Sequence, residues 1–471
     1  MARKKHHCPP QRVRRPKTIN ARTALQVAIQ LHQGGRLEEA YLLYQRILQV
    51  EPANPDALNF LGVLLHQRGR SVEAVKLIER AIVSQSDYVD AHNNLGNILV
   101  HLGQFAQAVT CYRKAITLRA DYPEAHRNLG VALRLQGELE DAIQTARQAV
   151  ALGPDDADAY FSLGQALDEA GQREEAILVF REGLRHSPKS SMGYRRLGRI
   201  LYLLDRGEEA RECYHEWTRQ DPDSSEARHM LAAFTGENVP ARAADDYVRS
   251  MFDRFADSFD QQLQRLGYRA PTLLADALAA QLGTPGSIYA VLDAGCGTGW
   301  CGPLLRPYAR YLTGVDLSPV MLDKARARGA YDELVAAELT TFLRERPDCF
   351  DLIVSADTLV YFGELGSVLA AAAGALRTGG WLAFTLEQWV DDAAEGNYRL
   401  NYHGRYSHKK DYLRQELAAA GLTLHALGIA NLRFERGEAV TGYVVLAVKQ
   451  EVTVGGLSGA IGAEEGWGNQ A

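Results

Sequence analysis

No run among the 471 residues stays apolar for the roughly 18 positions a membrane span needs, so the sequence has no membrane-crossing helix to offer. Cysteine is scarce. The six present (Cys8, Cys111, Cys213, Cys296, Cys301, Cys349) form no C-x-x-C pair and no zinc-ligand spacing. Free thiols in a reducing compartment, the cytoplasm, are therefore expected, with no disulfide framework and no metal. Charge of one sign is also lacking. Lys and Arg total 52 against 58 Asp and Glu, a net of -6, which argues against nucleic acid as the main ligand. The one concentrated basic run is Arg3, Lys4, Lys5, Arg12, Arg14, Arg15 and Lys17, with no apolar stretch behind it to act as a signal. Residues 1–20 read as a disordered basic tail and the glycine-rich 450–471 as a flexible one. The length in between exceeds what one hydrophobic core organises, so more than one domain is expected.

What the chain has is a period. Ala40, Ala74, Ala108, Ala142, Ala176 and Ala210 recur every 34 residues, and Gly62, Gly96, Gly130, Gly164 and Gly198 keep the same step twelve residues earlier. Small residues at these places let two antiparallel helices approach closely, and Leu61, Leu95, Leu129, Leu163 and Leu197 fill the space between successive pairs. Such a unit cannot bury its own apolar face and must stack on its neighbours. With Tyr44, Tyr112, Phe180 and Tyr214 at the second helix's aromatic position, the pattern resembles the tetratricopeptide family and covers six repeats over residues 21–224. The resemblance implies an α-solenoid whose concave face takes a protein or peptide, lined by Asn59, Asn93, Arg127, Phe161 and Arg195, then Asn97 and Gln165. A plain solvated helix face is the competing reading of those positions.

Beyond the repeats, residues 225–286 place Tyr247, Phe252, Phe255, Phe259 and Tyr268 at near-helical spacing. This is a helical connector, its rings either packed in a core or folded over a neighbouring site as a lid. Then Tyr289-Ala-Val-Leu-Asp-Ala-Gly-Cys-Gly-Thr-Gly299 reads as an apolar strand that ends in an acid and turns through three glycines. Glycine is required where the backbone turns tightly and approaches a ligand closer than a Cβ permits. A second strand, Leu312 to Asp316, ends in another acid, suited to a ribose diol. Gly297-Thr-Gly-Trp-Cys-Gly302 also satisfies the G-x-G-x-x-G of dinucleotide binders. Two features favour a sulfonium nucleoside instead: the acid directly before the first glycine, and a terminal antiparallel hairpin. That hairpin joins Leu424–Glu435 to Val440–Lys449 through Arg436, Gly437 and Glu438.

Between them come a helix Pro319–Arg328 capped by Ser318, strands Leu334–Ala336 and Phe350–Ser355, a helix Val368–Leu376 and a strand Trp381–Thr385. The order resembles class I S-adenosylmethionine-dependent methyltransferases, an α/β Rossmann-like fold with a seven-stranded sheet over residues 287–449. It is most similar to predicted methyltransferases that themselves carry tetratricopeptide repeats, through Asp253-x-x-Ala-x-x-Phe-Asp260, Tyr268-Arg-Ala-Pro271, Gly314-Val-Asp-Leu-Ser318, Ala336-Ala-Glu338 and Gly404-Arg-Tyr-Ser-His408. The resemblance implies S-adenosyl-L-methionine as cofactor, held by Asp293, Gly295, Cys296, Gly297, Thr298, Gly299, Asp316, Leu317, Met321, Glu338 and Leu339. Glu338 stands where an Asp commonly pairs with the adenine amine.

Ligands of open α/β sheets bind beyond the strands' carboxyl ends, which selects acceptor-side candidates. Asp357, Tyr361, Glu387 and His408 are the catalytic candidates, and His403, Arg405 and Tyr406 the substrate-binding ones; these three and His408 are expected on the loop before the last helix. Arg405 is expected to engage Glu387 or a carboxylate on the acceptor, which favours an acidic small molecule. The expected activity is methyl transfer to a small metabolite while the repeats recruit a partner. A protein or peptide acceptor delivered by the repeats is the alternative, and a scaffold with an inactive domain a third, against which the intact glycine turn speaks.

Overall fold

A computed structural model describes residues 20–390, 395–435 and 437–450. Both expected tails, apart from Asn20 and Gln450, and Arg436 of the hairpin turn lie outside the described residues. No helix among them is long and apolar enough to cross a membrane. The chain forms two compact units, divided between Arg206 and Gly207.

The first unit is built of helix pairs: α1 (Ala21–Gln33) with α2 (Leu37–Val50), α3 (Pro55–Gln67) with α4 (Ser71–Ser84), α5 (Val89–His101) with α6 (Phe105–Leu118), α7 (Pro123–Gln136) with α8 (Leu139–Leu152), and α9 (Ala157–Glu169) with α10 (Arg173–His186). A further helix, α11 (Ser191–Leu203), ends the unit. The periodic alanines are the contact points, since Ala40, Ala74, Ala108, Ala142 and Ala176 are fully buried. Close approach explains the glycines as well. A Cβ at Gly96 would lie 2.5 Å from the Tyr112 ring, so only glycine lets α5 meet α6.

The face assigned to a partner differs from the expectation. Asn59, Asn93 and Phe161 are 0%, 1% and 2% exposed. The asparagines are consumed in a ladder between repeats: Asn94 donates to Asn59 at 3.1 Å, and Asn128 donates to Asn93 at 3.1 Å and to Asn97 at 3.0 Å. Phe161 packs beside Phe180 as core, and a Cβ on Gly183 would meet its ring at 2.6 Å. Arg127 pairs with Asp156 at 2.7 Å, and Arg195 Nε donates to the Ser191 carbonyl. Buried amides must satisfy one another, so these positions hold repeat to repeat before they can hold a peptide.

The second unit opens with α12 (Gly207–Gln220) and α13 (Ser225–Thr235), so the expected boundary near residue 224 falls inside this unit. The connector follows as α14 (Asp245–Phe255), α15 (Phe259–Arg265) and α16 (Ala270–Leu282). The α/β part then runs β1 (Tyr289–Ala294), α17 (Gly302–Leu305), β2 (Ala309–Asp316), α18 (Pro319–Arg328), β3 (Glu333–Ala336), α19 (Leu339–Arg344) and β4 (Phe350–Ser355). After a short 3-10 turn at Leu359–Tyr361 come α20 (Gly366–Ala375), β5 (Leu376–Gln388), β6 (Tyr398–Leu400), β7 (Tyr406–His408), α21 (Lys410–Ala419), β8 (Leu422–Glu435) and β9 (Glu438–Lys449).

Strands β3-β2-β1-β4-β5 are parallel neighbours, β9 returns antiparallel along β5, and β8 pairs antiparallel with β9. These seven strands are the expected sheet. The hairpin β6–β7 adds two more, with Glu387 of β5 paired to Ser407 of β7 as well as to Gly442 of β9. A strand residue has two edges, so β7 lies on the edge that β4 leaves when its pairing stops at Phe384. Helices cover both faces, which is why the central strands read as unbroken apolar runs. Leu292, Ile353 and Phe384 pack with α19, α20 and α21, while Val291, Leu352 and Ala383 pack with α16 and α17.

Candidate active site

The carboxyl ends of β1, β2 and β4 and the connector helices enclose a cavity of about 420 Å³. Its floor is the turn after β1. Gly295 at φ +76° would drive a Cβ to 2.0 Å from Thr358 Oγ1, and Gly297 at φ +53° would meet only Phe259, at 3.9 Å. The first glycine is thus required by packing, whereas the second presents bare backbone to the cavity. Asp316 locks this turn to the end of β2, accepting from Gly297 N and from Ser318 N at 2.9 Å each. Burial raises the Asp316 carboxyl above its ordinary range, offset by those two amides.

Asp293 sits below the turn, 1% exposed. One oxygen accepts from Tyr331 at 2.6 Å, and the other is buried with no partner among the described residues. Burial pushes this carboxyl up to about 7, with Tyr331 pulling it back. Cys296, Thr298, Leu317, Glu338 and Leu339 line the cavity, while Asp293, Gly299 and Met321 do not. Gly299, at φ +87°, faces α18, where a Cβ would meet Ala325 at 3.2 Å. Met321 is fully buried in that same helix. Glu338 caps α19: its oxygens accept from Thr340 N at 2.9 Å and from Thr341 N and the Thr341 hydroxyl at 2.8 Å each, one donor more than Asp316 takes.

The connector forms the roof. Val248, Met251, Phe252, Phe255 and Phe259 face the cavity, and Phe252 meets Tyr361 edge-on at 5.6 Å. Asp260 ties α15 to the glycine turn, accepting from Thr298 at 2.6 Å and from Trp300 Nε1 at 2.8 Å, with Arg328 on its other oxygen.

The far end is an ion cluster. Arg433, 4% exposed, donates to Asp357 at 2.7 Å, to Glu435 at 2.8 Å and to Glu387. Arg405 donates to Glu387 at 2.7 Å and to Glu435. Burial pushes the Glu387 carboxyl up, yet Arg405, Arg433 and His403 outweigh it and hold that group at about 2. Burial with Arg405 lowers His403 to about 4, so its ring is neutral near pH 7. Burial raises the Tyr361 hydroxyl to about 12. Asp357 holds an uncommon φ of +53°, fixed by Thr385, which takes its backbone N–H at 2.9 Å and donates to its carboxylate.

The structure brings Asp357, Tyr361, His403 and Arg405 to one cavity and leaves three candidates behind it. Glu387 holds the guanidiniums without lining the space. Tyr406 and His408 are not on a loop but on β7, fully buried, bonding to the carbonyls of Pro240 at 2.7 Å and Gly363 at 3.1 Å. Pairing with β5 turns them inward. Arg433 and Glu435 complete the cluster although no motif in the sequence points to them. Their spacing of two on a strand puts both on one face, and two opposite charges on one face of a run otherwise fit for burial are the signal that could have found them.

Comparison with known proteins agrees with this geometry. Residues 292–384 match the family described as a methyltransferase domain, and residues 31–98, 96–137, 132–171 and 169–234 match tetratricopeptide repeat families. The chain thus joins tetratricopeptide repeats to a methyltransferase domain of the class I fold. It is 44% identical over 84 residues to methyltransferase-like protein 27 of Homo sapiens, covering 18% of this chain and 34% of that one. To a malonyl-[acyl-carrier protein] O-methyltransferase of Pseudescherichia vulneris it is 37% identical over 142 residues, 29% of this chain and 52% of that one. To a ubiquinone biosynthesis O-methyltransferase of Xylella fastidiosa it is 25% identical over 213 residues, 41% and 85%. The chain spans 34% and 52% of the length of the first two of these curated relatives.

Proposed function

We propose that the second unit is an S-adenosylmethionine-dependent methyltransferase acting on a small, uncharged acceptor, in the cytoplasm, with the repeats recruiting a protein partner. The observation that carries it is the single cavity that runs from the glycine turn and Asp316 to the Asp357–Arg405 cluster. The residues present fit the cofactor: Gly297 offers bare backbone and Asp316 a carboxylate at the tip of β2, both lining the cavity, while Asp293 lies behind the turn with one oxygen unpartnered among the described residues. When bound, the cofactor supplies a methyl group on a cationic sulfur. The chain's task is then to orient the acceptor and exclude water. Phe252, Phe255 and Phe259 exclude water from above, and Asp357 and Tyr361 offer polar atoms to an acceptor hydroxyl.

Charge decides the acceptor class. Arg405 and Arg433 face Asp357, Glu387 and Glu435, two cations against three anions, with His403 neutral. Both guanidiniums are already matched by carboxylates inside the protein, with one carboxylate in excess, so the expected preference for an acidic acceptor gives way to a protic one without negative charge, for which the apolar walls favour an uncharged molecule. The name of one relative, a ubiquinone biosynthesis O-methyltransferase, supports transfer to oxygen. Five free cysteines among the described residues suit a reducing compartment. Radiolabelled methyl donor incubated with the protein and a cell lysate tests the reading. Label in an uncharged small-molecule fraction is expected; label confined to protein, or to organic acids, would contradict it.

A further inference from the structure

The repeat-family match runs on to residue 234 and so includes α13, a helix that lies in the same compact unit as the methyltransferase domain. From this helix His229, 3% exposed, reaches across 175 residues of sequence to the Gly404 carbonyl, at 2.9 Å. A carbonyl only accepts, so His229 Nε2 carries the proton. The ring is boxed in by Tyr247, 4.7 Å away between centroids, and by the edge of Tyr406 at 6.0 Å.

Gly404 is the apex of the turn that carries two cavity residues, His403 and Arg405. That turn is closed by Asn401, whose carbonyl accepts from Gly404 N at 2.8 Å and whose N–H donates to the Arg405 carbonyl at 2.9 Å. Its apex carbonyl is held by His229. Gly404 sits at φ +84°, and a Cβ there would strike Tyr247 Oη at 2.6 Å, so the turn is shaped from the side of α13 and α14. The same helix also grips the roof: Ser225 donates to Asp246 at 2.6 Å, and Arg254 donates to Glu226 at 3.2 Å.

We propose that α13 is a working part of the acceptor end of the cavity, and that His229 is the residue that positions the His403–Gly404–Arg405 turn so that Arg405 meets Glu387 and Glu435. Its consequence for an acceptor rests on the methyltransferase reading; the positioning itself does not. Losing one buried hydrogen bond at the apex frees the turn to swing and carries Arg405 away from its carboxylates, while the glycine turn after β1 is untouched.

Hydrogen–deuterium exchange of the full chain tests this, reading the peptide 398–408 against the peptide 289–316. His229→Ala and Gly404→Ala should each speed exchange in 398–408 by about fivefold, the size of one lost buried hydrogen bond, and leave 289–316 unchanged. His229→Gln, which keeps an N–H at the same reach, should return 398–408 to within about twofold of the parent. His229→Leu, which fills the space without an N–H, should exchange like the alanine variant, whereas a purely space-filling role would let leucine rescue as well as glutamine. Unchanged exchange in 398–408, equal acceleration in both peptides for both alanine variants, or a glutamine variant no better than alanine would overturn the proposal. S-adenosylhomocysteine binding, measured alongside, reports separately: its absence in the parent protein would sink the methyltransferase reading and leave the positioning result standing.

Discussion

Arg433 serves three carboxylates from one buried guanidinium, and the cost of losing it follows from what stays behind. Removing one partner of a buried ion pair strands its counter-charges, at about 3–5 kcal/mol. Arg433→Met leaves Asp357 and Glu387 in low dielectric with only Arg405 between them, so urea unfolding should show a loss of that size. A loss under about 1 kcal/mol would mean the cluster is solvated and positions nothing. Lysine is no substitute, since one ammonium cannot reproduce the fork that reaches Asp357, Glu387 and Glu435 together. At the same scale lies the correction at Asn59, Asn93 and Phe161. Their 34-residue period is legible, but the burial of the asparagines is not, because a repeated amide is equally the mark of a ladder between repeats and of a solvated groove; Phe161, apolar at the same position, is the one sign in the sequence that this position is buried.

The hairpin β6–β7 shows what short elements withhold. Each strand has three residues, too few for any alternation to declare itself, so Tyr406 and His408 read as loop. The long elements are legible for the opposite reason: the apolar runs of β1, β4 and β5 and the paired runs of β8 and β9 each repeat one physical demand over several residues. The hairpin also carries a pH dependence. His408 donates from Nε2 to Gly363, and its Nδ1 is buried without a partner among the described residues. Burial therefore depresses its pKa from 6.5 to about 4. The unfolded chain takes up the proton first, so the stability from neutral His408 is whole above pH 6.5 and is lost as the pH falls toward 4. The expected slope is about 1.4 kcal/mol per pH unit for this one group. His408→Gln should flatten the profile of unfolding free energy between those limits by about one proton. An unchanged slope would show that the ring is protonated in the fold.

At the scale of the molecule, the two-part organisation is legible in the period and the glycine turn, whereas the helix at which one compact unit gives way to the next is not. Repeats contact only their neighbours, so sequence pattern alone has no way to say at which helix one compact unit stops. Because α12 and α13 belong to the second unit, a fragment of residues 207–450 should bind S-adenosylhomocysteine within about threefold of the whole chain. A fragment starting at residue 237 loses the Glu226–Arg254 and His229–Gly404 contacts and should melt at lower temperature. Equal melting temperatures would show that α12 and α13 contribute nothing to this unit.

The central claim, that the cavity beyond β1 and β2 holds a sulfonium nucleoside, is tested most directly by calorimetry of S-adenosylhomocysteine with the full chain and with Asp316→Ala. One site per chain is expected in the parent. The variant should bind more weakly by about 1.5–3 kcal/mol, the value of hydrogen bonds to a charged group. Parent-like affinity in Asp316→Ala, or tighter binding of NADH than of S-adenosylhomocysteine, would contradict it.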